Sequence, residues 1–255
     1  LYGRWQDLRM ALEYDIDREK RFDYKGLSME DVITHLSNFV SGIWQTHPFR
    51  EGNTRTTAVF TIKYLQSIGF KADNRLFEEH SWYFRNALVR ANYKNVAKGI
   101  SQDGHFLELF FRNLLMGENN ELKNRYLLVN PPEEWTHPTC LSDSERPATK
   151  VEQSTGQVPH KHPTSTPQVE DKLHTDNSDI IRLVNVVGEK ELSVSEIMAG
   201  LGLKDRKNVL NLYLNPTIAE GYLRLLFPQS PRHPRQKYLL TVKGLALYNE
   251  LNKSK

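Results

Sequence analysis

Nine consecutive residues of this 255-residue chain, His47-Pro-Phe-Arg-Glu51-Gly52-Asn53-Thr54-Arg55, gather the side chains that handle phosphate, a divalent cation and a proton. Pro48 breaks any helix arriving at His47, and the next helix is predicted to begin near Asn53 or Thr54. A helix start presents unpaired backbone N–H groups and the positive end of its dipole, which together attract anions. Gly52 lets that backbone approach a ligand closely. Arg55 stands in the first turn, where the dipole disfavours a cation, so an anionic ligand would explain its placement and meet its forked donors. Glu51 is a hard oxygen ligand suited to Mg²⁺ shared with nucleotide phosphates. His47, on the same loop, can take a proton near neutral pH. Each residue also has an ordinary reading: a helix-ending His, a first-turn acid, a Gly-Asn turn. Phe49 reads as a buried anchor for the loop. Their joint appearance favours a phosphate site with a metal ligand and a base.

Two apolar segments flank the loop. Met29, Val32, Ile33, Leu36, Phe39, Val40, Ile43 and Trp44 recur at helical spacing. Ser28 is their expected N-cap, with Glu30 and Asp31 in the first turn. Thr56–Ile68 carries Val59, Phe60, Ile62 and Leu65 and ends at Gly69, so it is expected to be a central, buried helix. Helical patterns recur around His80–Tyr93 and Gly104–Met116, which makes the first half all-α.

Residues 131–178 hold seven of the 12 prolines, four of the nine histidines and one aromatic residue, Trp135. Such a stretch buries too little apolar surface to offset its ordering entropy and reads as a flexible linker. His137, His160, His162 and His174 are too irregularly spaced to favour a metal site. Beyond it, Ile180–Val187 reads as a helix and Ser193-Val-Ser-Glu196 as a capping-box start ending at Gly200 or Gly202. A third helix, Lys204–Leu214, is expected to stop before Pro216. Tyr222–Phe227 and Gln236–Leu240 read as strands, and Val242–Leu251 as a last helix. Three helices, a two-stranded ribbon and a basic tip describe a winged helix-turn-helix, a module that admits DNA or a second copy of the chain as partner. From Asp179 onward the chain carries 12 Lys/Arg against 7 Asp/Glu, leaving −2 of the total +3 for the rest.

The fold class is therefore mainly α, with domains expected at 1–128 and 179–255 and a linker at 129–178. No apolar run reaches membrane-spanning length. The lone cysteine, Cys140, fits a reducing cytoplasm. The chain opens on Leu1, so further residues are expected upstream.

The loop resembles the signature of the Fic (filamentation induced by cAMP) family, His-x-Phe-x-(Asp/Glu)-Gly-Asn-Gly-Arg-x-x-Arg, matched at His47, Phe49, Glu51, Gly52, Asn53 and Arg55. The likeness extends over about residues 1–128, and the tail resembles the winged-helix domain often appended to such proteins. It implies transfer of AMP from ATP to a Ser, Thr or Tyr hydroxyl of a target protein. His47 would then deprotonate that hydroxyl and Glu51 would hold Mg²⁺ between the α- and β-phosphates. Gly52, Asn53 and Thr54 would line the anion cradle, and Arg55 would bind the distal phosphates. Asn92 and Tyr93, beside Arg90, would reach the base or ribose from the third helix, or else form an exposed helix end with a core aromatic.

Two positions depart from the signature: Thr54 replaces its third glycine and Ala58 its last arginine. Such changes leave phosphotransfer, or transfer of another nucleoside monophosphate, as an alternative. A DNA-binding regulator with a nucleotide-sensing core is a third reading. No complete inhibitory helix of the family, Ser/Thr-x-x-x-Glu-Gly/Asn, is found; Thr217-Ile-Ala-Glu220-Gly221 is one residue short.

Overall fold

The computed structural model describes residues 5–128 and 175–253, and these are mainly α-helical with two short strands. Up to residue 174 the expected linker, with Cys140 and its four histidines, lies outside the described residues.

Six helices build the first half: α1 Leu8–Lys20, α2 Met29–Thr46, α3 Asn53–Ser67, α4 Arg75–Glu79, α5 Ser81–Asn92 and α6 His105–Met116. α2 starts where the sequence says it should. Ser28 Oγ accepts from the Asp31 N–H while the Asp31 carboxylate accepts from the Ser28 N–H, a reciprocal box that satisfies two otherwise orphan donors. Its apolar stripe is buried from Met29 to Trp44, and it packs against α1, α3, α5 and α6, which makes α2 the central helix. Phe77, Phe84 and Phe110 form an aromatic cluster beside it with centroids 4.9–5.0 Å apart.

The expectation that α3 is the central, buried helix is corrected. Its inner face is Asn53, Thr57, Thr61 and Leu65, while Val59 is 58% exposed and Phe60 half-buried. Small polar residues let α3 lie close to its neighbours, with Thr61 Oγ1 returning a hydrogen bond to the Thr57 carbonyl at 2.7 Å. α1, which has no strong apolar stripe, is anchored instead by a buried charge. The Glu19 carboxylate accepts from Tyr24 Oη at 2.5 Å, from Tyr64 Oη and from His35 Nε2 at 2.6 Å, tying α1 to α2 and α3.

The second half contains α7 Ser178–Val187, α8 Val194–Leu201, α9 Arg206–Asn208, a π-helical segment Val209–Leu214, α10 Asn215–Ala219, β1 Leu223–Leu225, β2 Tyr238–Leu240 and α11 Val242–Lys253. The Ser193–Glu196 capping box opens α8. The third helix does not stop before Pro216: α9, the π segment and α10 run on as one helix through the proline. In a regular α-helix the Pro216 ring would crowd the Leu212 carbonyl. The wider turns of residues 209–214 relieve that, and Thr217 Oγ1 caps the Tyr213 carbonyl at 2.6 Å. β1 and β2 pair antiparallel with Leu223 opposite Leu240 and Leu225 opposite Tyr238, and Leu192 bridges to Tyr238 on the other side.

The buried apolar residues fall into two clusters, one from Tyr24 to Leu127 and one from Ile180 to Leu247. They meet where α11 lays Val242, Leu245 and Ala246 against the first cluster. Hydrogen bonds cross the junction: the Lys243 N–H donates to the Ile68 carbonyl at 3.4 Å and the Asn249 side-chain Nδ2 to the Leu27 carbonyl at 2.8 Å. Gly69 and Gly221 sit so close that a Cβ on Gly221 would lie 2.1 Å from the Gly69 carbonyl oxygen.

Candidate active site

α2 ends in an unusual way. His47 is its C-cap, with φ +53° and ψ 55°, and among the described residues it alone of the non-glycines has a positive φ. That left-handed conformation costs about 1–2 kcal/mol for an L-residue, and Pro48 further favours an extended residue before it. Surrounding contacts hold it there. The His47 N–H donates to the Trp44 carbonyl at 3.2 Å, and the Trp44 indole meets the imidazole edge-on at 6.0 Å.

The loop between α2 and α3 is braced from both sides. Asn53, buried at the start of α3, accepts from the Phe49 N–H at 2.9 Å through Oδ1 and donates to the Phe49 carbonyl at 2.5 Å through Nδ2. This reproduces a two-way backbone pairing with one side chain. It also corrects the expected role of Phe49: the residue is 49% exposed, and its backbone, gripped by Asn53, anchors the loop. Trp44 Nε1 donates to Thr54 Oγ1 at 3.1 Å, so the same indole that packs on His47 fastens the first turn of α3. The β-branched residue at the position of the signature's third glycine is thereby put to structural use.

Gly52 is the N-cap of α3, with φ +77° and ψ 10°, and no side chain caps the helix there. The left-handed turn needs glycine. A Cβ added at Gly52 would lie 3.7 Å from the Arg55 guanidinium, so Arg55 folds back over the helix start. Glu51 and Arg50 are exposed beside it. A base-capable imidazole, an exposed carboxylate, an uncapped helix start and an arginine over it therefore share one short loop.

Asn92 and Tyr93 lie at the C-terminal end of α5. Asn92 Nδ2 donates to Ser41 Oγ at 2.8 Å and to the Leu88 carbonyl at 2.9 Å, so its amide serves the α2–α5 contact six residues before His47. Tyr93 is exposed, with Asn95 Nδ2 donating to its hydroxyl at 3.3 Å. The structure brings together the loop residues and leaves these two with other partners. Ala58 is partly buried against the first cluster and puts no charge into the site. Trp44 is the residue that sequence reasoning missed, because its place in the α2 stripe makes it read as core. The available signal was its indole N–H, which needs an acceptor when buried.

No group of three or more His, Cys, Asp or Glu able to hold a metal occurs among the described residues. Glu51 by itself fits a cation whose other ligands are phosphates and water, as Mg²⁺ prefers, and does not make a self-sufficient metal cage. Two cavities of about 360 and 390 Å³ lie elsewhere, between the two halves and beside α4–α6, and neither is lined by a loop residue. Among the described residues no helix is long and apolar enough to cross a membrane.

Compared with known proteins, residues 2–65 match the Fic/DOC family, a span that includes α1, α2, the loop and most of α3. Residues 178–241 match the C-terminal domain of filamentation induced by cAMP protein Fic-like. No curated protein matches. One solved structure is similar, a Fic family protein from Desulfovibrio desulfuricans G20, at 18% identity and a TM-score of 0.31, over 94% of this chain and 57% of that one. The chain thus spans little more than half the length of that protein.

Proposed function

The chain belongs to the Fic/DOC family, and on that premise we propose that it transfers AMP from ATP to a hydroxyl side chain of a target protein. Members of this family typically transfer a nucleoside monophosphate to proteins and generally use ATP with a divalent metal. The observation that carries the proposal is the backbone of His47. A costly left-handed conformation before a proline persists only where its surroundings hold it, and such outliers cluster at functional sites. Here it fixes an imidazole on the same short loop as an uncapped helix N-terminus.

In this reading His47 takes the proton of the target Ser, Thr or Tyr hydroxyl as its oxygen bonds to the α-phosphorus. The bond from that phosphorus to the bridging oxygen breaks, and pyrophosphate leaves. Backbone N–H groups at Gly52, Asn53 and Thr54 hold the phosphate oxygens, and Arg55 takes the distal charge. Mg²⁺, held by Glu51 together with phosphate oxygens, supplies charge neutralisation when bound. Tyr93 and Asn92 contribute from the end of α5, the first toward the nucleoside and the second by keeping α5 against α2. Phe49, Arg50 and Glu51 are exposed beside the half-buried His47, in keeping with a macromolecular acceptor. The division into 1–128, 129–178 and a winged-helix unit at 179–255 belongs to the same proposal, supported by the two hydrophobic clusters, which meet at α11.

Thr54 and Ala58 favour a second reading. With no cation at position 58 and Thr54 engaged by Trp44, the polyphosphate has fewer partners than the family signature offers. A different nucleotide, or transfer of phosphate itself, is then accommodated. Mass spectrometry of the full chain after incubation with Mg²⁺ and each of the four nucleoside triphosphates separates these outcomes. One adenylyl mass, formed with ATP and abolished in His47→Ala, is the expected result. A phosphoryl mass, or another nucleotide, would establish the second reading. Transfer undiminished in His47→Ala would overturn the assigned base.

A further inference from the structure

The run α9–π–α10 presents an open outward face. Asn208, Asn211 and Asn215 are all exposed, and none of the three side-chain amides has a hydrogen-bond partner among the described residues. Leu212 lies among them, 54% exposed. The opposite face, Val209, Tyr213, Leu214 and Thr217, is buried, so the helix has one committed side and one open side. Asn208, Asn211 and Asn215 follow one another along a short stretch whose residues 209–214 are π-helical.

Cations stand at the beginning of this face. Arg206 and Lys207 are exposed at its beginning, and neither joins an ion pair with a described residue. The Asp205 carboxylate beside them is occupied, accepting from the Lys207 N–H at 2.8 Å and the Asn208 N–H at 3.3 Å. Glu220 is the one other acid at the helix, beyond its far end and half-buried. A second basic feature is the tip of the β1–β2 ribbon, where Arg232 and Arg235 are exposed. That tip is ordered by its own contacts. The Phe227 N–H donates to Gln236 Oε1 at 2.9 Å, Gln236 Nε2 returns a bond to the Phe227 carbonyl at 3.0 Å, and His233 stacks on Phe227 at 4.2 Å. Neither Arg232 nor Arg235 joins an ion pair with a described residue.

We propose that this face is a sequence-reading surface for double-stranded DNA, with Asn208, Asn211, Leu212 and Asn215 in the major groove and Arg206, Lys207, Arg232 and Arg235 on the flanking phosphates. The side chains specify the base pairs. An asparagine amide offers one donor and one acceptor, the complement of the N6 and N7 edge of adenine, and an exposed leucine packs on the methyl group of thymine. A face of three amides and one leucine therefore selects A·T pairs. Arginine at that face would select guanine, and none is present between Asn208 and Asn215. The phosphate contacts fix register and contribute affinity without sequence information. Exposure of the face is that of the whole chain, so docking of the two halves leaves it open.

The test uses the full chain and a pool of DNA duplexes with a randomised core, carried through rounds of selection and read by sequencing, with affinities from fluorescence anisotropy. Enrichment of a short motif containing consecutive A·T pairs is expected. Asn211→Ala and Asn215→Ala should each lower discrimination between selected and random duplexes by about 10-fold, leaving random-duplex affinity unchanged. The double variant Arg232→Ala, Arg235→Ala should weaken both duplexes alike and reduce the slope of log affinity against log salt by about 2. Absence of enrichment, or an enriched motif unaffected by the asparagine variants, would overturn the proposal. So would single-stranded pool competing as well as duplex. If sedimentation shows a dimer that Leu212→Lys dissociates, the face belongs to a second copy of the chain and the proposal also falls.

Discussion

Gly69, just past the end of α3, and Gly221, at the turn before β1, are the places where the two halves touch backbone to backbone, and an added methyl there has a calculable consequence. Gly69 has φ +103°, and a Cβ on it would lie 2.3 Å from the Gly221 carbonyl oxygen and 2.5 Å from Thr241 Oγ1. Gly221 has φ +82°, and its Cβ would lie 2.1 Å from the Gly69 carbonyl oxygen. Backbone cannot yield by that much locally, so either substitution forces the halves apart. The docking free energy lost is of the order of an overpacking penalty, about 1–3 kcal/mol, and alanine in the left-handed region adds about 1–2 kcal/mol to whichever half carries it. Three of the four tryptophans, Trp5, Trp44 and Trp82, lie in the first half and none lies beyond residue 135, so urea unfolding followed by tryptophan fluorescence follows the first half and not the second. Gly221→Ala, although outside that half, should lower its stability by about 1–3 kcal/mol. Gly69→Ala should lower it by about 2–5 kcal/mol, the docking loss together with its own strain. The double variant should be no worse than Gly69→Ala, because the halves separate only once. A fluorescence transition unmoved by Gly221→Ala would refute the docking. Full additivity in the double variant would refute a shared separation.

Thr54→Val removes the acceptor of the buried Trp44 N–H and should cost about 1–3 kcal/mol in thermal unfolding, whereas Thr54→Ser should recover most of it. Burial pushes the Glu19 carboxyl up, but the hydrogen bonds from His35, Tyr24 and Tyr64 outweigh it and hold the group below the ordinary carboxylate range. Its stabilisation is therefore complete above the unfolded-state value and is lost as pH falls through the lower folded value. Wild type should exceed Glu19→Gln by about 1.5–3 kcal/mol at neutral pH, and urea titrations should show that margin shrinking below about pH 4. Gly52→Ala places a methyl 3.7 Å from Arg55 at a left-handed position. It should unfold within about 2 kcal/mol of wild type while losing at least about ten-fold in nucleotide transfer, measured by adduct formation over time.

What the sequence made legible was set by neighbours in the chain. The α2 stripe, the Ser28 and Ser193 capping boxes, the break at Pro48 and the glycine opening α3 depend on residues within a turn or two of one another. The misread features depend on distant partners. α1 passes unread because a group that ties it in, Glu19, meets Tyr64, 45 residues away. Pro216 reads as a stop because only the π turns before it, which no periodicity announces, let the helix pass. Phe49 looks like an anchor because it is aromatic, yet the side chain of Asn53 holds its backbone and frees its ring.

The misjudgement of α3 has the same origin and explains how that helix can serve a site. An apolar helix is ordinarily placed by its stripe, which would have buried α3 and its N-terminus with it. α3 is instead held at separate points along its length. Asn53 and Thr54 fasten its start, Tyr64 meets Glu19 near its end, and Gly69 abuts Gly221 just beyond. These contacts add to the packing of Leu65 and Phe60 on the core and fix the helix while its start stays partly open. That leaves Gly52 and Arg55 open to a ligand while their geometry is set by groups that do not touch it. A defect at Glu19, which meets Tyr64 near the other end of α3, should therefore disturb the loop through the pose of the helix: reduced nucleotide transfer in folded Glu19→Gln is expected, and undiminished transfer there would refute the route.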